Sequence, residues 1–380
     1  MNTILLAITA IALVVLVALV LRPLQESTVE PAKEEDERVS PLLRGINYLL
    51  SDEPDLALKE MVQVARLRSE AADVYMALGE MFRSKGEIGR AVRIHQNLLA
   101  RPDLPKSLHL QAHLALATDF KTGGLLDRAL YQYQKALDIQ SDHAGALEAC
   151  LRIREQSHEW LLAEELLSRL ERVRNASYSS HRAYLFAEMA RQGLTQGNAE
   201  EARTYAVRAL ELDEACAPAR MVEIELALQE QDMESATAAI EHLWQQDREH
   251  FPLVIPTLLR HDDFYQSHGR DALHALWQQH HDAELMLGWL EALAKYHGAS
   301  EAQQLLDMVG FEPHSLRESL RLNAVLGDVD NAHTRFAQQW RKTARNYACE
   351  QCGVEVVEVR WQCPQCHSWG TLHPKNEEQL

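Results

Sequence analysis

The stretch Leu78–Leu99, LGEMFRSKGEIGRAVRIHQNLL, decides how the rest of the chain is read. It holds a Leu-Gly pair, Phe82 a turn later, a glycine at Gly86 and a small residue at Ala91, with apolar residues at helical spacing on both sides of Gly86. This order predicts two antiparallel helices joined by a turn. Close helix crossings need small side chains, an aromatic ring fills the gap beside them, and a tight turn needs a residue free to take positive φ. So small a hairpin cannot bury its own apolar face, so copies of it should stack.

Copies flank it on both sides. The small residue of each second helix recurs at Ala57, Ala91, Ala129, Ala163, Ala202 and Ala236, at separations of 34, 38, 34, 39 and 34. A step of 34 is the tetratricopeptide period, and the longer steps fit insertions between units. Gly45 and Tyr48 precede Ala57, while Leu116-Ala117 and Phe120 precede Gly124, Ala129, Tyr133 and Ala136; Gly197 falls at a corresponding turn. The expected fold is all-α, a tetratricopeptide-repeat solenoid of about six units over residues 41–245. Degenerate helical repeats should follow over 246–344, where Ala272, Ala302 and Ala332 continue at steps of 36, 30 and 30 and Pro252, Pro256 and Pro313 sit between helices.

Outward from the repeats, Ile4–Leu21 is a run of 18 residues with no charge and one polar residue, Thr9. A helix of that length nearly crosses a ~30 Å hydrocarbon layer, so residues 1–21 are expected to form a transmembrane anchor. No Lys or Arg precedes the run, which argues against a cleaved signal peptide. Arg22, Lys33 and Arg38 follow it and place the bulk of the protein on the cytoplasmic side. Residues 22–40, acidic and broken by Pro23 and Pro31, read as a tether. The formal charge of -18, from 38 Lys+Arg against 56 Asp+Glu, argues against a nucleic-acid partner.

The C-terminal stretch Tyr347–Pro374, YACEQCGVEVVEVRWQCPQCHSWGTLHP, carries the chemistry. Cys349 and Cys352 form one Cys-x-x-Cys pair and Cys363 and Cys366 another, with ten residues between the pairs. In a reducing compartment such pairs are metal ligands rather than disulfides, and two knuckles together give a tetrahedral four-thiolate site for one zinc or iron ion. Val354, Val356 and Val359 read as a short hairpin joining the knuckles, with Tyr347, Trp361 and Trp369 able to cover the cluster. A domain this small, residues 345–380, is expected to need the metal to fold. With all four positions filled by protein, no site is left open for catalysis, and no phosphate loop, nucleophile elbow or second histidine site is present. The chain therefore reads as a non-enzyme. Cys150 and Cys216 stand alone within repeat helices and read as small core residues.

Repeat arrays bind through the face built from their first helices. In this register that face includes Met76, Glu80 and Arg83, then Leu114, Thr118 and Lys121, then Arg152 and Arg191. A client-binding groove is expected at Met76, Arg83, Leu114, Lys121, Arg152 and Arg191, whose cations could hold an acidic peptide or chain end.

An anchor, a tetratricopeptide array and a paired-knuckle tail, in this order, resemble the lipopolysaccharide assembly protein B family of Gram-negative bacteria (LapB, also YciM). The resemblance is carried by GINYLLSDEPDLAL (Gly45–Leu58), LGEMFRSKGEIGRAVRIHQNLL (Leu78–Leu99) and WQCPQCHSWGT (Trp361–Thr371), and it spans nearly the whole chain. It implies a rubredoxin-like zinc-ribbon tail and a single-pass protein of the inner membrane. It further implies an adaptor that helps the membrane protease FtsH degrade LpxC, the deacetylase committing material to lipid A, beside other inner-membrane lipopolysaccharide assembly proteins; a homodimer is left open. His367 stands where the family of rubredoxin electron carriers has glycine, and the ten-residue connection is shorter than theirs, which puts electron transfer in doubt. A redox protein with an iron-thiolate centre and a passive scaffold for envelope assembly enzymes are the alternatives. In the adaptor reading the metal domain docks on the array and fixes its shape.

Overall fold

The computed structural model describes residues 72–102, 104–327, 331–344 and 346–375, with scattered positions between 44 and 60. The expected anchor, the tether and Ala57 lie outside the described residues. Among the described residues no helix is long and apolar enough to cross a membrane.

The chain divides into two compact units at Ile139. In the first, α1 (Ala72–Ser84) pairs with α2 (Ile88–Leu99), and α3 (Lys106–Thr122) pairs with α4 (Leu126–Ile139). Both turns are closed by glycines at positive φ, Gly86 at 78° and Gly124 at 74°. Phe82, Ala91, Ile94 and Leu98 are wholly buried between the helices. Gly79 is dictated by the crossing itself, since a β-carbon there would come within 2.2 Å of the His95 ring. His95 is buried and hydrogen-bonds Asp119 of α3, a carboxylate that also receives Arg83 of α1 at 2.8 Å. A buried carboxylate with two nitrogen partners is tolerable; an unpaired one is not.

In the second unit, α5 (Ala144–Gln156) pairs with α6 (Trp160–Arg174), α7 (Ser179–Thr195) with α8 (Ala199–Leu212), and α9 (Ala217–Gln229) with α10 (Met233–Gln246). Ala163, Ala202 and Ala236 have no exposed surface, as helix crossings at a small residue require. Asn198 and Asp232 cap the second helices by accepting from Glu201 and Ser235 N–H. This is the tetratricopeptide arrangement the alanine period predicts.

Beyond α10 the units change. A 3-10 turn (Phe251–Leu253) leads to α11 (Ile255–Arg260), and a π-turn (Tyr265–Gly269) opens α12 (Arg270–His280). Pro252 and Pro256 occupy first turns, where the missing N–H has no partner to lose, rather than lying between helices. The wider π-turn shifts the phase of α12: Leu273 and Trp277 face the core and the expected crossing residue Ala272 is half-buried. α13 (Ala283–Tyr296), apolar on nearly every side, is the centre of this core, with Trp289 donating to the Tyr265 hydroxyl at 3.0 Å. Ala302 is wholly buried on α14 (Ala299–Val309), after which come α15 (Leu316–Leu326) and α16 (Ala332–Thr343).

The chain ends in three short strands, β1 (Tyr347–Cys349), β2 (Glu355–Val356) and β3 (Leu372–Pro374), in the order β2-β1-β3 with both pairings antiparallel. The expected hairpin between the knuckles is therefore corrected. β1 and β2 wrap the first knuckle, and β3 returns from beyond the second to close the sheet. Val354, Val356 and Val359 still turn inward, onto Cys349, Cys363 and Leu372.

Candidate metal centre and its seat on the repeats

Each Cys-x-x-Cys pair is bent by a backbone hydrogen bond that reaches past its second cysteine. Gly353 N–H donates to Cys349 O at 2.8 Å, and His367 N–H to Cys363 O at 3.0 Å. Both residues after the knuckles take positive φ, 72° at Gly353 and 61° at His367. Histidine is among the side chains that tolerate this region, which explains how His367 replaces a glycine. The two knuckles meet across β1 and β3. Cys349 Sγ lies 3.7 Å from Cys366 Sγ, Cys352 Sγ lies 3.7 Å from Cys363 Sγ, and all four sulfurs fall within 4.8 Å of one another. A tetrahedron with metal–sulfur bonds of roughly 2.3 Å has edges of about 3.8 Å, so the cage fits one thiolate-bound ion.

Donors around the cage prepare it for ionisation. Burial pushes the Cys349 thiol up, but the Thr371 hydroxyl at 3.2 Å and the N–H groups of Cys352 and Gln351 outweigh it and hold the thiol at about 6. Cys366 is likewise lowered, against its burial, by Ser368. Cys352, despite the Val354 N–H, is pushed up to about 12, and Cys363 is raised by burial and its sulfur neighbours. The donors beside Cys349 and Cys366 favour their thiolate forms, the form in which a cysteine ligates a metal. Cys150 and Cys216 are buried and free, their thiols pushed up to about 11 and 12 by burial, as core residues should be.

Tyr347, Trp361 and Trp369 do not cover the cluster. The two tryptophans turn to the repeats instead. Trp369 packs on Trp160 of α6 and Tyr184 of α7, while Trp361 lies between Tyr184 and His250 and joins the core around α13. Beneath them lies Glu155 of α5, 2% exposed. Its oxygens accept from Gln362 Nε2 at 3.0 Å, Trp369 Nε1 at 3.2 Å and the ring of His181. Further out, His250 Nε2 meets Leu372 O at 2.9 Å and Arg317 donates to Lys375 O at 2.9 Å. Beside this contact a cleft of about 300 Å³ is lined by Arg152, Tyr178, Ser180, His181 and Trp369 among others.

Two consequences can be measured. Gly370 sits on Tyr184 at φ 64°, and a β-carbon there would meet the Tyr184 hydroxyl at 2.2 Å. Gly370→Ala is expected to weaken seating of the ribbon by about 1–3 kcal/mol, read as a lower denaturant midpoint for the tryptophan signal; an unchanged midpoint would mean the contact is loose. His250 is buried between two acceptors, Asp247 and Leu372 O, so only the doubly protonated ring satisfies both. Burial lowers its pKa, but Asp247, Leu372 O and the charge of Glu249 outweigh this and raise it. The charges facing it are Asp247 and Glu249, with the ring of His373 alongside. A raised pKa contributes folding stability that is fully present below about pH 6.5 and disappears as pH rises through the folded value. Stability against unfolding should therefore fall as pH rises above about 6.5, and His250→Gln should abolish that dependence while His373→Gln retains it.

The groove residues distribute as follows. Met76 and Arg83 lie on α1 and Leu114 and Lys121 on α3, all four half-buried, with Arg83 held by Asp119. Arg152 on α5 is exposed beside the ribbon, 3.7 Å from Glu148, and Arg191 on α7 is paired with Glu188. The motif reading missed Glu155, His181, Tyr184 and His250. The available signal was Trp361 and Trp369 themselves, since a module of this size cannot bury two indoles without a partner surface.

Fold and site together define a tetratricopeptide-type repeat protein with a four-cysteine ribbon seated on its own helices. Residues 347–374 match the rubredoxin metal binding domain. Along nearly its whole length the chain is similar to lipopolysaccharide assembly protein B. It is 26% identical to that of Escherichia coli (strain K12) over 374 residues, 92% of this chain and 93% of the relative, and 24% identical to that of Haemophilus influenzae (strain Rd) over 371 residues, 91% and 93%. Among solved structures, one titled "Functional Characterization of Pseudomonas Aeruginosa pilF" is 19% identical, covering 63% of this chain and 98% of that one, at a TM-score of 0.33.

Proposed function

We propose that this chain acts in lipopolysaccharide assembly as a non-catalytic adaptor anchored in the inner membrane, its repeats and ribbon on the cytoplasmic side. Residues 1–21 hold it at the bilayer, and Cys349, Cys352, Cys363 and Cys366 hold one zinc or iron ion that keeps the ribbon folded. The client is the deacetylase LpxC, presented to the protease FtsH. The names and extents of the relatives support the role in lipopolysaccharide assembly. The observation that carries the adaptor reading is the ribbon's seat on Glu155: Gln362 and Trp369 hold the ribbon against its own repeats, and a four-sulfur cage leaves no coordination position for substrate. Met76, Arg83, Leu114 and Lys121 mark client-binding positions in the first unit, and Arg152 and Arg191 mark them in the second.

The test is the lifetime of LpxC after this protein is depleted. The adaptor reading expects it to lengthen several-fold in cells with FtsH and not to change in cells lacking it; an unchanged lifetime in both would favour a passive scaffold. A form without residues 1–21 should fold and fail to restore regulation.

A further inference from the structure

A second cleft, of about 690 Å³, opens where the last helices meet the ribbon, with α13, α15 and α16 on one side and Tyr347, Val357 and Glu358 on the other. Four cations reach it, Arg317 and Arg321 from α15 and Arg341 and Lys342 from α16. Two carboxylates of α13 lie among them. Arg321 bridges Glu284 at 2.5 Å and Glu291 at 2.8 Å, and these two hold its proton more tightly than usual against its burial. Arg341 takes the other oxygen of Glu291 at 2.9 Å, while Arg317 approaches Glu284 only to 3.6 Å. Lys342 has no carboxylate partner among the described residues. Arg317 Nε and Asn346 Oδ1 are buried with no hydrogen-bond partner.

Four cations against three lining carboxylates, Glu284, Glu291 and Glu358, leave an excess of one positive charge, in a protein whose formal charge is -18. Glu358, on the ribbon side, has no ion pair with these cations among the described residues. Such a concentration of one sign inside a cleft marks a site for the opposite sign. We propose that this cleft binds a phosphate monoester. The ester carries a charge of about -1.5 to -2 near neutral pH, opposite in sign to the excess, and its three terminal oxygens suit guanidinium forks with an ammonium beside them. The ligand bridges α16 to the ribbon, so it reinforces the join between the repeats and the metal module. Its source is a soluble phosphate ester or a phosphorylated lipid headgroup, which share this chemistry.

The experiment titrates the full-length, metal-loaded protein with inorganic phosphate, following heat and the thermal midpoint. The site expects saturable binding that raises the midpoint. It expects affinity to fall roughly tenfold or more in R341A/K342A, whose exposed side chains can be removed without unfolding the helix, and to rise in Glu358→Gln. The unliganded midpoint of R341A/K342A serves as the check on folding. Phosphatidylcholine vesicles with and without phosphatidic acid separate the sources: binding that needs phosphatidic acid, competes with free phosphate and is lost in R341A/K342A assigns a headgroup, whereas phosphate binding with no difference between the vesicles assigns a soluble ester. No saturable response to phosphate, or one unaltered in a folded R341A/K342A, would mean that the cations serve only the internal ion pairs, and the proposal fails.

Discussion

Cys363→Ser is expected to unfold the ribbon and leave the repeats folded. Cys363 is 1% exposed at the centre of a cluster whose only other fully buried members are Cys349 and Leu372, too little apolar surface to order residues 347–374. The ion supplies the remainder, and structural sites of this kind are worth about 10 kcal/mol or more of folding free energy. Serine removes one thiolate and loosens the other three. The expected result is loss of the amide signals of β1, β2 and β3, a red-shifted emission as Trp361 and Trp369 leave the repeats, and little change in helical circular dichroism. Retention of the strand signals at wild-type stability would show that the fold does not depend on the cage.

The reason that this dependence was legible in the chain, while the seat was not, is one of range. Cysteines at 349, 352, 363 and 366 advertise their chemistry over a few residues, and the alanines from Ala91 to Ala236 recur at steps of 34 or of 34 with a short insertion, so both could be read locally. Glu155 meets Gln362 and Trp369 across 207 and 214 residues, and nothing near Glu155 distinguishes it from the carboxylates of neighbouring helices. Arg83 shows the same blindness from the other side. It lies on α1, but its partner Asp119 lies 36 residues on, so a cation read as available is held by a buried carboxylate. The phase of α12 was lost for a different reason: a π-turn leaves no mark in the apolar spacing before it.

Glu155→Ala should have the second-largest effect, weakening the seat of the ribbon by about 3–5 kcal/mol. It removes an acceptor that is shared by three donors and leaves the indole N–H of Trp369, the amide of Gln362 and the ring of His181 facing an apolar gap. Glu155→Gln should cost less, because its carbonyl still accepts, though its amide then points at a former donor. Neither substitution touches the four sulfurs, so the ribbon should stay folded and carry its metal while detaching. That pattern, detachment with the ion retained, separates this variant from Cys363→Ser. Limited proteolysis between α16 and β1, together with metal content of the released fragment, would read both. A Glu155→Ala ribbon that resists cleavage as the wild type does would place the seating energy elsewhere.

The most direct measurement is hydrogen exchange across the whole chain before and after the ion is stripped with a mercurial reagent and chelator. If a thiolate-bound ion shapes the ribbon that rests on the repeats, stripping should speed exchange over 347–374 and over the helix segments beneath it, around Glu155 and Tyr184, while α1 to α4 keep their protection. Unchanged exchange around Glu155 and Tyr184 after complete loss of metal would contradict it.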